Sequence, residues 1–322
     1  MKWFRGLSWV LLVVFCASAA FAIGERATIV REANLYLSPD SSSAKLAEVE
    51  RGRELIILET SREWVHVEAT LGKAQVQNGE DEEDIPDRTV TGWMLAKGMV
   101  RVTTQDGDRI VFGEASNSED QASSRRGRRG AAQDAMRLYY RVYDLYPASP
   151  FAGEALYRAA DIRWQIERVD VNSRPSAKEK EAFLRQGMGE EWMKLVIKKF
   201  PGTKWADLAS FNLIENKLCG DWQGSSKCPD KEAEIYEKYA TEHPQSPKTA
   251  EALYEAAWRR AALIEIYKTE ENAKKSEESR GKALALTQRI ITTFLQTDWA
   301  ARASALAFLI QQNVPSYGNA IE

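Results

Sequence analysis

Two periodicities divide this chain. From Ala27 to about Val102, apolar and polar positions alternate with period two in seven short runs: TIVRE, LYLSPD, LAEVERG, RELIILE, EWVHVEA, VTGWML and MVRVT. Alternation of this kind, broken by turn residues, predicts short strands with one buried face. Two further runs, VRVTT and RIVF around Asp106-Gly107, predict one added hairpin over Val100–Phe112, because Asp-Gly is a strong turn signal.

Beyond residue 130 the period changes to that of an amphipathic helix, and one pattern returns four times. The copies run from Tyr139 to Trp164, Glu191 to Ile214, Glu234 to Trp258 and Ala285 to Ile310. In the first three a Pro (Pro147, Pro201, Pro244) stops one helix, and a hydroxyl two residues on (Ser149, Thr203, Ser246) is placed to cap the next. A small residue follows at Ala155, Ala209 and Ala252, with an aromatic two further on at Tyr157, Phe211 and Tyr254. Each copy therefore reads as one helical hairpin with a close helix contact beside an aromatic. In the fourth copy Gln296 stands at the Pro position and Asp298 is the expected cap, one residue out of register. Pro147 to Pro201 spans 54 residues and Pro201 to Pro244 spans 43, so long inter-hairpin segments must absorb the difference. Within them, Ser176-Ala-Lys-Glu179 has the form of a capping box for a helix reaching Phe200, and Asp230 after Pro229 is placed to cap another.

The second half resembles the tetratricopeptide-like repeats of bacterial periplasmic proteins, in particular the Tol-Pal coordinator and the outer-membrane assembly lipoprotein, most closely in LYPASPFAGEALYRAADI. The first half resembles a bacterial Src-homology-3-like domain at Leu35-Tyr36-Leu37-Ser38-Pro39, Arg51-Gly52, Trp64-Val65-His66-Val67 and Gly92-Trp93-Met94. Two features depart from that family: Tyr36-Leu37 replaces its Asn-Val-Arg element, and an acidic insertion spans residues 72–88 with five acids from Glu80 to Asp84. The insertion reads as a solvated hairpin tip. The resemblance implies a shallow groove for peptide or cell-wall polymer, and Tyr36 and Trp64 fit either such a groove or the core, whereas Trp93 is assigned to the core. The expected architecture is thus multidomain, β then α: a small Src-homology-3-like β-barrel over 23–113, a linker over 114–130, and an α-helical hairpin repeat array, a tetratricopeptide-like solenoid, over 131–322. Arg125, Arg126, Arg128 and Arg129 fall in the linker, which reads as soluble connecting chain, the alternative being contact with an anionic polymer or lipid head groups.

Residues 1–22 place Lys2 and Arg5 ahead of a short apolar run and end in Ala20-Phe21-Ala22, the form of a cleaved signal peptide. Export to the periplasm or extracellular space follows. Phe15 before Cys16 makes a poor lipobox, so neither a lipid nor a transmembrane anchor is expected after cleavage. Losing the two leader cations leaves 42 basic against 47 acidic side chains, a net charge of −5, which argues against nucleic acid as a partner. In an exported chain, Cys219 and Cys228 nine positions apart in a Gly- and Ser-rich loop read as a disulfide. No metal or other cofactor is implied, because no ligand pair with finger-like spacing exists and His243 would have to be recruited from a distant loop.

Catalysis finds no support. With two histidines, His66 and His243, no Ser/His/Asp or Cys/His constellation can be assembled, and phosphate loops and zinc-protease motifs are absent. The carboxylate pairs Glu190-Glu191 and Glu270-Glu271 read as solvated helix faces. The expectation is a non-enzymatic envelope binding or scaffold protein whose helical array engages another protein and whose β domain engages peptide or wall polymer. The rival classes are a cell-wall hydrolase or its accessory subunit, and a purely structural protein with no ligand on the β domain. The exported form is expected to begin near Ile23 without a lipid; mass spectrometry of the intact protein checks this, and an acylated Cys16 at its N-terminus overturns it.

Overall fold

The computed structural model describes residues 24–72 and 88–317; the leader and all but the ends of the acidic insertion lie outside the described residues. Each of the seven alternating runs overlaps a strand, the first two by only two residues: β1 (Glu25–Ile29), β2 (Ala33–Tyr36), β3 (Lys45–Val49), β4 (Glu54–Ser61), β5 (Trp64–Leu71), β6 (Arg88–Leu95) and β7 (Met99–Arg101). They form one antiparallel sheet in the order β3-β2-β6-β5-β4-β1-β7. Along β5, Val65, Val67, Ala69 and Leu71 are buried while Trp64, His66, Glu68 and Thr70 lie on the other face. The buried side joins Leu35, Val49, Leu55, Ile57 and Met94 in one apolar core.

Nine helices follow among the described residues: α1 (Gly107–Ser123), α2 (Ala131–Leu145), α3 (Ala152–Ser173), α4 (Glu191–Lys199), α5 (Lys204–Asn212), α6 (Lys227–Glu242), α7 (Thr249–Thr269), α8 (Ala273–Thr293) and α9 (Asp298–Gln311). The pairs α2/α3, α4/α5, α6/α7 and α8/α9 are the four expected hairpins. Their turns share one backbone shape. Tyr146, Phe200, His243 and Phe294 end the first helices at φ −128°, −129°, −123° and −119°. The carbonyl of each accepts the N–H three residues on, from Ser149, Thr203, Ser246 and Thr297. Thr203 caps α5 through its hydroxyl, whereas Ser149 and Ser246 spend theirs on the loop amides of Phe151 and Lys248. In the fourth hairpin Thr297, not Asp298, is the cap. That restores the register: Leu295 takes the Pro position, and Ala303 is the buried counterpart of Ala155, Ala209 and Ala252.

Several local expectations fail. The hairpin at Asp106-Gly107 does not form: Asp106, with φ 51°, starts α1, and the extension past Arg101 is a turn. The linker over 114–130 is helix as far as Ser123. Its composition is polar, yet Val111, Ala115 and Ser118 recur at helical spacing and are buried, Val111 and Ala115 in one cluster with Ala135, Leu138 and Tyr139 of α2. Small side chains suffice there because a neighbouring helix supplies the apolar bulk. Likewise the Ser176 capping box yields only 3-10 turns at Pro175–Lys178 and Ala182–Leu184, and α4 starts at Glu191. That segment absorbs the long first spacing and is held across the following loop by Gly220 N–H to the Lys180 carbonyl and by Arg185 to the Leu218 carbonyl. Asp230 lies inside α6, where its carboxylate is taken by Arg260 and the Tyr267 hydroxyl instead of a cap.

The sheet is docked on the array and not tethered to it. Val30 and Val100 enter the same apolar cluster as Val111, Leu138 and Tyr139. Around that cluster Arg26 bridges Glu54 and Asp144 at 2.6 Å each, the Tyr146 hydroxyl donates to the Arg101 carbonyl at 2.7 Å, and Arg137 and Arg141 donate to the carbonyls of Arg51 and Gly52. Arg128, from the segment read as soluble linker, pairs with Glu32 and Asp134. Gly52 is the tightest point of the contact. It has φ +76°, and a Cβ there would lie 2.7 Å from Arg137 Cβ and from the Leu138 amide nitrogen. Replacing Gly52 with Ala imposes both a left-handed backbone cost and a clash with α2, and is expected to lower stability by about 1–3 kcal/mol; denaturant titration measures it, and an unchanged midpoint would show that the sheet is not clamped at this turn.

Candidate functional site

Two surfaces are candidates for a functional site. The first is a groove of about 480 Å³ between α3, α5, α6 and α7. Its apolar side chains are Trp164, Phe211 and Tyr236, and its charged lining is Arg168, Asp161, Glu255 and the ion pair Lys248–Glu251 at 2.6 Å. The hairpin register places these groups: Phe211 is the repeat aromatic of α5, and Lys248 lies over its ring at 5.2 Å. Trp164 Nε1 donates to Glu215 at 3.0 Å, which fixes the indole in the wall.

At the inner end of the groove lies Arg259, only 6% exposed. Its Nε donates to Glu232 at 2.7 Å, its Nη1 donates to the Glu255 carboxylate, and its guanidinium stacks over Tyr236 at 4.6 Å. Burial alone would lower the Arg259 pKa, but Tyr236 and Glu232 outweigh it and the net shift is upward, so the cation is held charged. Burial also pushes the Tyr236 hydroxyl up to about 12, keeping it a neutral donor at physiological pH. Glu232, 2% exposed, accepts in addition the Cys219 amide at 2.8 Å and Trp222 Nε1 at 3.3 Å. The expected bond between Cys219 and Cys228 is present and closes the loop that presents both donors. A covalent staple, a buried carboxylate and a buried cation thus connect the inter-hairpin loop to the groove. Sequence reading found the staple but not Glu232 or Arg259. The available signal was slight, an Arg-Arg pair amid the apolar run of α7.

The second surface is the outward face of the sheet. Tyr36 and Trp64 meet edge to face with ring centroids 5.8 Å apart. Trp93 is not in the core. It is half-buried beside them, stacked on His66 at 4.9 Å, while its neighbour Met94 is the buried one. Strand pairing explains this, since Trp93 lies directly opposite both Tyr36 and His66 and so shares their face. Glu59, opposite His66, and the exposed Leu95, opposite Trp64, border the cluster.

His243 pairs with Asp207 at 2.7 Å and stacks on Tyr239 in the hairpin turn. No group of three or more His, Cys, Asp or Glu side chains converges on a metal position among the described residues.

No family model matches the chain, and no curated protein matches it. Among solved structures the chain is similar to a de novo designed helical repeat protein, DHR64, with a TM-score of 0.23 and 14% identity over 64% of this chain and 94% of that one. The DHF79 filament is similar with a TM-score of 0.22 and 13% identity, over 62% and 95% respectively. Likenesses so distant leave the reading of this chain to its own geometry. The central test of that geometry is the buried pair: Arg259→Ala leaves Glu232 without its counter-charge and is expected to cost about 3–5 kcal/mol, measured from chemical denaturation, and a loss below about 1 kcal/mol would show that the pair is solvated.

Proposed function

We propose that this chain is a non-enzymatic, exported cell-envelope protein that holds a protein partner in the groove of its helical array and peptide or cell-wall polymer on the aromatic face of its sheet. The groove carries the proposal. Its aromatic floor offers area at small entropic cost, and its rim of opposed charges suits an extended peptide with an apolar anchor and charged flanks. Arg259, held in place before any partner arrives, requires little reorganisation on binding.

The β module reads as Src-homology-3-like and the array as tetratricopeptide-like, on the residues that carry those resemblances. Tyr36, Trp64, His66 and Trp93 supply stacking surfaces for a sugar ring or a peptide side chain, with Glu59 beside them to accept hydrogen bonds. The purely structural reading draws on the docking of β1 and β7 against α1 and α2. That contact uses the Arg26–Val30 edge of the sheet, however, and leaves the aromatic face over β2, β5 and β6 outside it.

Full-length mature protein, used as bait in envelope extracts and mixed with isolated wall sacculi, tests both halves. Reversing the exposed rim with Arg168→Glu and Glu251→Lys is expected to remove at least ~90% of captured protein, a change of about 1.4 kcal/mol or more, while sedimentation with sacculi is kept. Trp64→Ala is expected to do the opposite. Soluble fragments released from sacculi would favour the hydrolase, and indifference of both assays to both variants would leave the structural role.

A further inference from the structure

Five arginines cross the seam between the sheet and the helical segment, and each ends on a carboxylate. Arg26 reaches Glu54 and Asp144, and Arg31 takes Glu114 with two nitrogens at 2.6 and 3.2 Å. Arg128 bridges Glu32 and Asp134, Arg137 pairs with Asp134 and Glu50, and Arg141 pairs with Glu54 and Asp144. Arg51 breaks the pattern. It stands in the turn between β3 and β4, just before the tight Gly52, and its own carbonyl accepts Arg137 Nε at 2.8 Å. Its guanidinium has no ion-pair or hydrogen-bond partner among the described residues, although the side chain is half-buried and Nε is closed off from solvent. Folded chains rarely bury a cation without a counter-charge.

Arg51 lines a cavity of about 250 Å³ against α1, together with the Arg31–Glu114 pair, Ser118 and the exposed Asp120. Ser118 is an independent sign. Elsewhere in the array Ser210, Thr241, Thr292 and Ser304 donate to the carbonyl four residues back, a common resort of helical hydroxyls. Ser118 is only 2% exposed, and its Oγ has no partner among the described residues. A fork of N–H donors and a hydroxyl therefore border one cavity with no acceptor engaged.

We propose that this cavity binds a small α-amino carboxylate, at a site separate from both the groove and the aromatic face. The carboxylate sits on the open terminal nitrogens of Arg51, whose paired N–H groups match its two oxygens. Arg51 Nε and the Ser118 hydroxyl lie just under the surface, where a small rotation of the Arg51 chain lets a bound oxygen satisfy them. The ammonium turns to Asp120, which has no ion-pair partner among the described residues. Charge selects within the class. Arg31 and Glu114 cancel, which leaves one cation and one anion for the ligand, and a zwitterion answers both. Phosphate or sulfate would instead bring two negative charges beside Asp120 and Glu114. The cavity is smaller than the roughly 300–1,000 Å³ of sites for drug-sized ligands, which limits the ligand to something like a free amino acid. Because Arg31 and Arg51 come from turns of the sheet and Ser118 and Asp120 from α1, docking of the two modules is what builds the site.

Ligand-detected NMR titration of the full-length mature protein tests the assignment, with L-alanine, propionate and sulfate as probes. Alanine is expected to bind with a Kd of about 1 mM, and propionate and sulfate at least ~10-fold more weakly. Arg51→Ala is expected to weaken alanine binding at least ~10-fold. Asp120→Asn is expected to weaken alanine while leaving propionate unchanged or tightened, a split that a purely structural role for Asp120 would not produce. Each variant is checked for an unchanged circular dichroism melt; if Arg51→Ala lowers it, the exposed Asp120→Asn still decides through the alanine-to-propionate ratio. The inference is overturned if alanine fails to bind at about 10 mM, if folded Arg51→Ala binds it as the parent does, if Asp120→Asn leaves that ratio unchanged, or if propionate or sulfate binds as tightly as alanine.

Discussion

The helical half depends on one small residue repeated at one place. Ala155, Ala209, Ala252 and Ala303 are all fully buried six positions after the turn hydroxyl. A methyl group there keeps the axes near the lower end of the usual 8–10 Å range. A larger side chain would separate the helices and withdraw the aromatic two residues on from the next hairpin. Contact within a hairpin therefore sets contact between hairpins, and the groove is the space left between them. Gly153 extends the rule, because a Cβ there would stand 3.2 Å from both Phe200 and Trp205 of the following hairpin.

An array of this kind must be closed at its start, and here the β module takes part in the closure. Docking through Val30, Val100 and the Gly52 turn fixes the sheet against α1 and α2, so the aromatic face and the groove keep one mutual geometry. Two binding surfaces on a flexible tether reach each other's ligands at an effective concentration set by linker length; on a rigid frame the spacing itself becomes a selection. Under the proposed function, docking therefore turns two independent modules into one frame with a fixed spacing.

Burying Arg259 and Glu232 is a poor way to gain stability, since desolvation of two charges offsets most of their attraction. Its value lies in definition. The cation stands at the inner end of the groove with Tyr236 against one face, and the carboxylate that holds it also holds the loop closed by Cys219 and Cys228. A single set of side chains therefore couples loop conformation to groove charge.

What the sequence by itself determined is everything carried by a strict period or a strong stop signal. Alternation located all seven strands, because a sheet with one buried face demands it at every second residue. The Pro, hydroxyl and Ala positions located three hairpin turns for the same reason, and cysteine spacing located the disulfide. Tertiary structure decided whatever depended on a neighbour. The segment 107–123 became a helix because α2 offered a surface for Val111, Ala115 and Ser118, a partner absent from its own composition. Trp93 left the core because pairing with Tyr36 and His66 set its face, and parity within one strand cannot say which side is covered. Thr297 displaced Asp298 as the cap because the turn geometry, shared by all four hairpins, admits a hydroxyl at only one place. Arg259 and Glu232 were unreadable as a pair, since they lie on different helices and only the packing of α6 on α7 brings their charges within 2.7 Å.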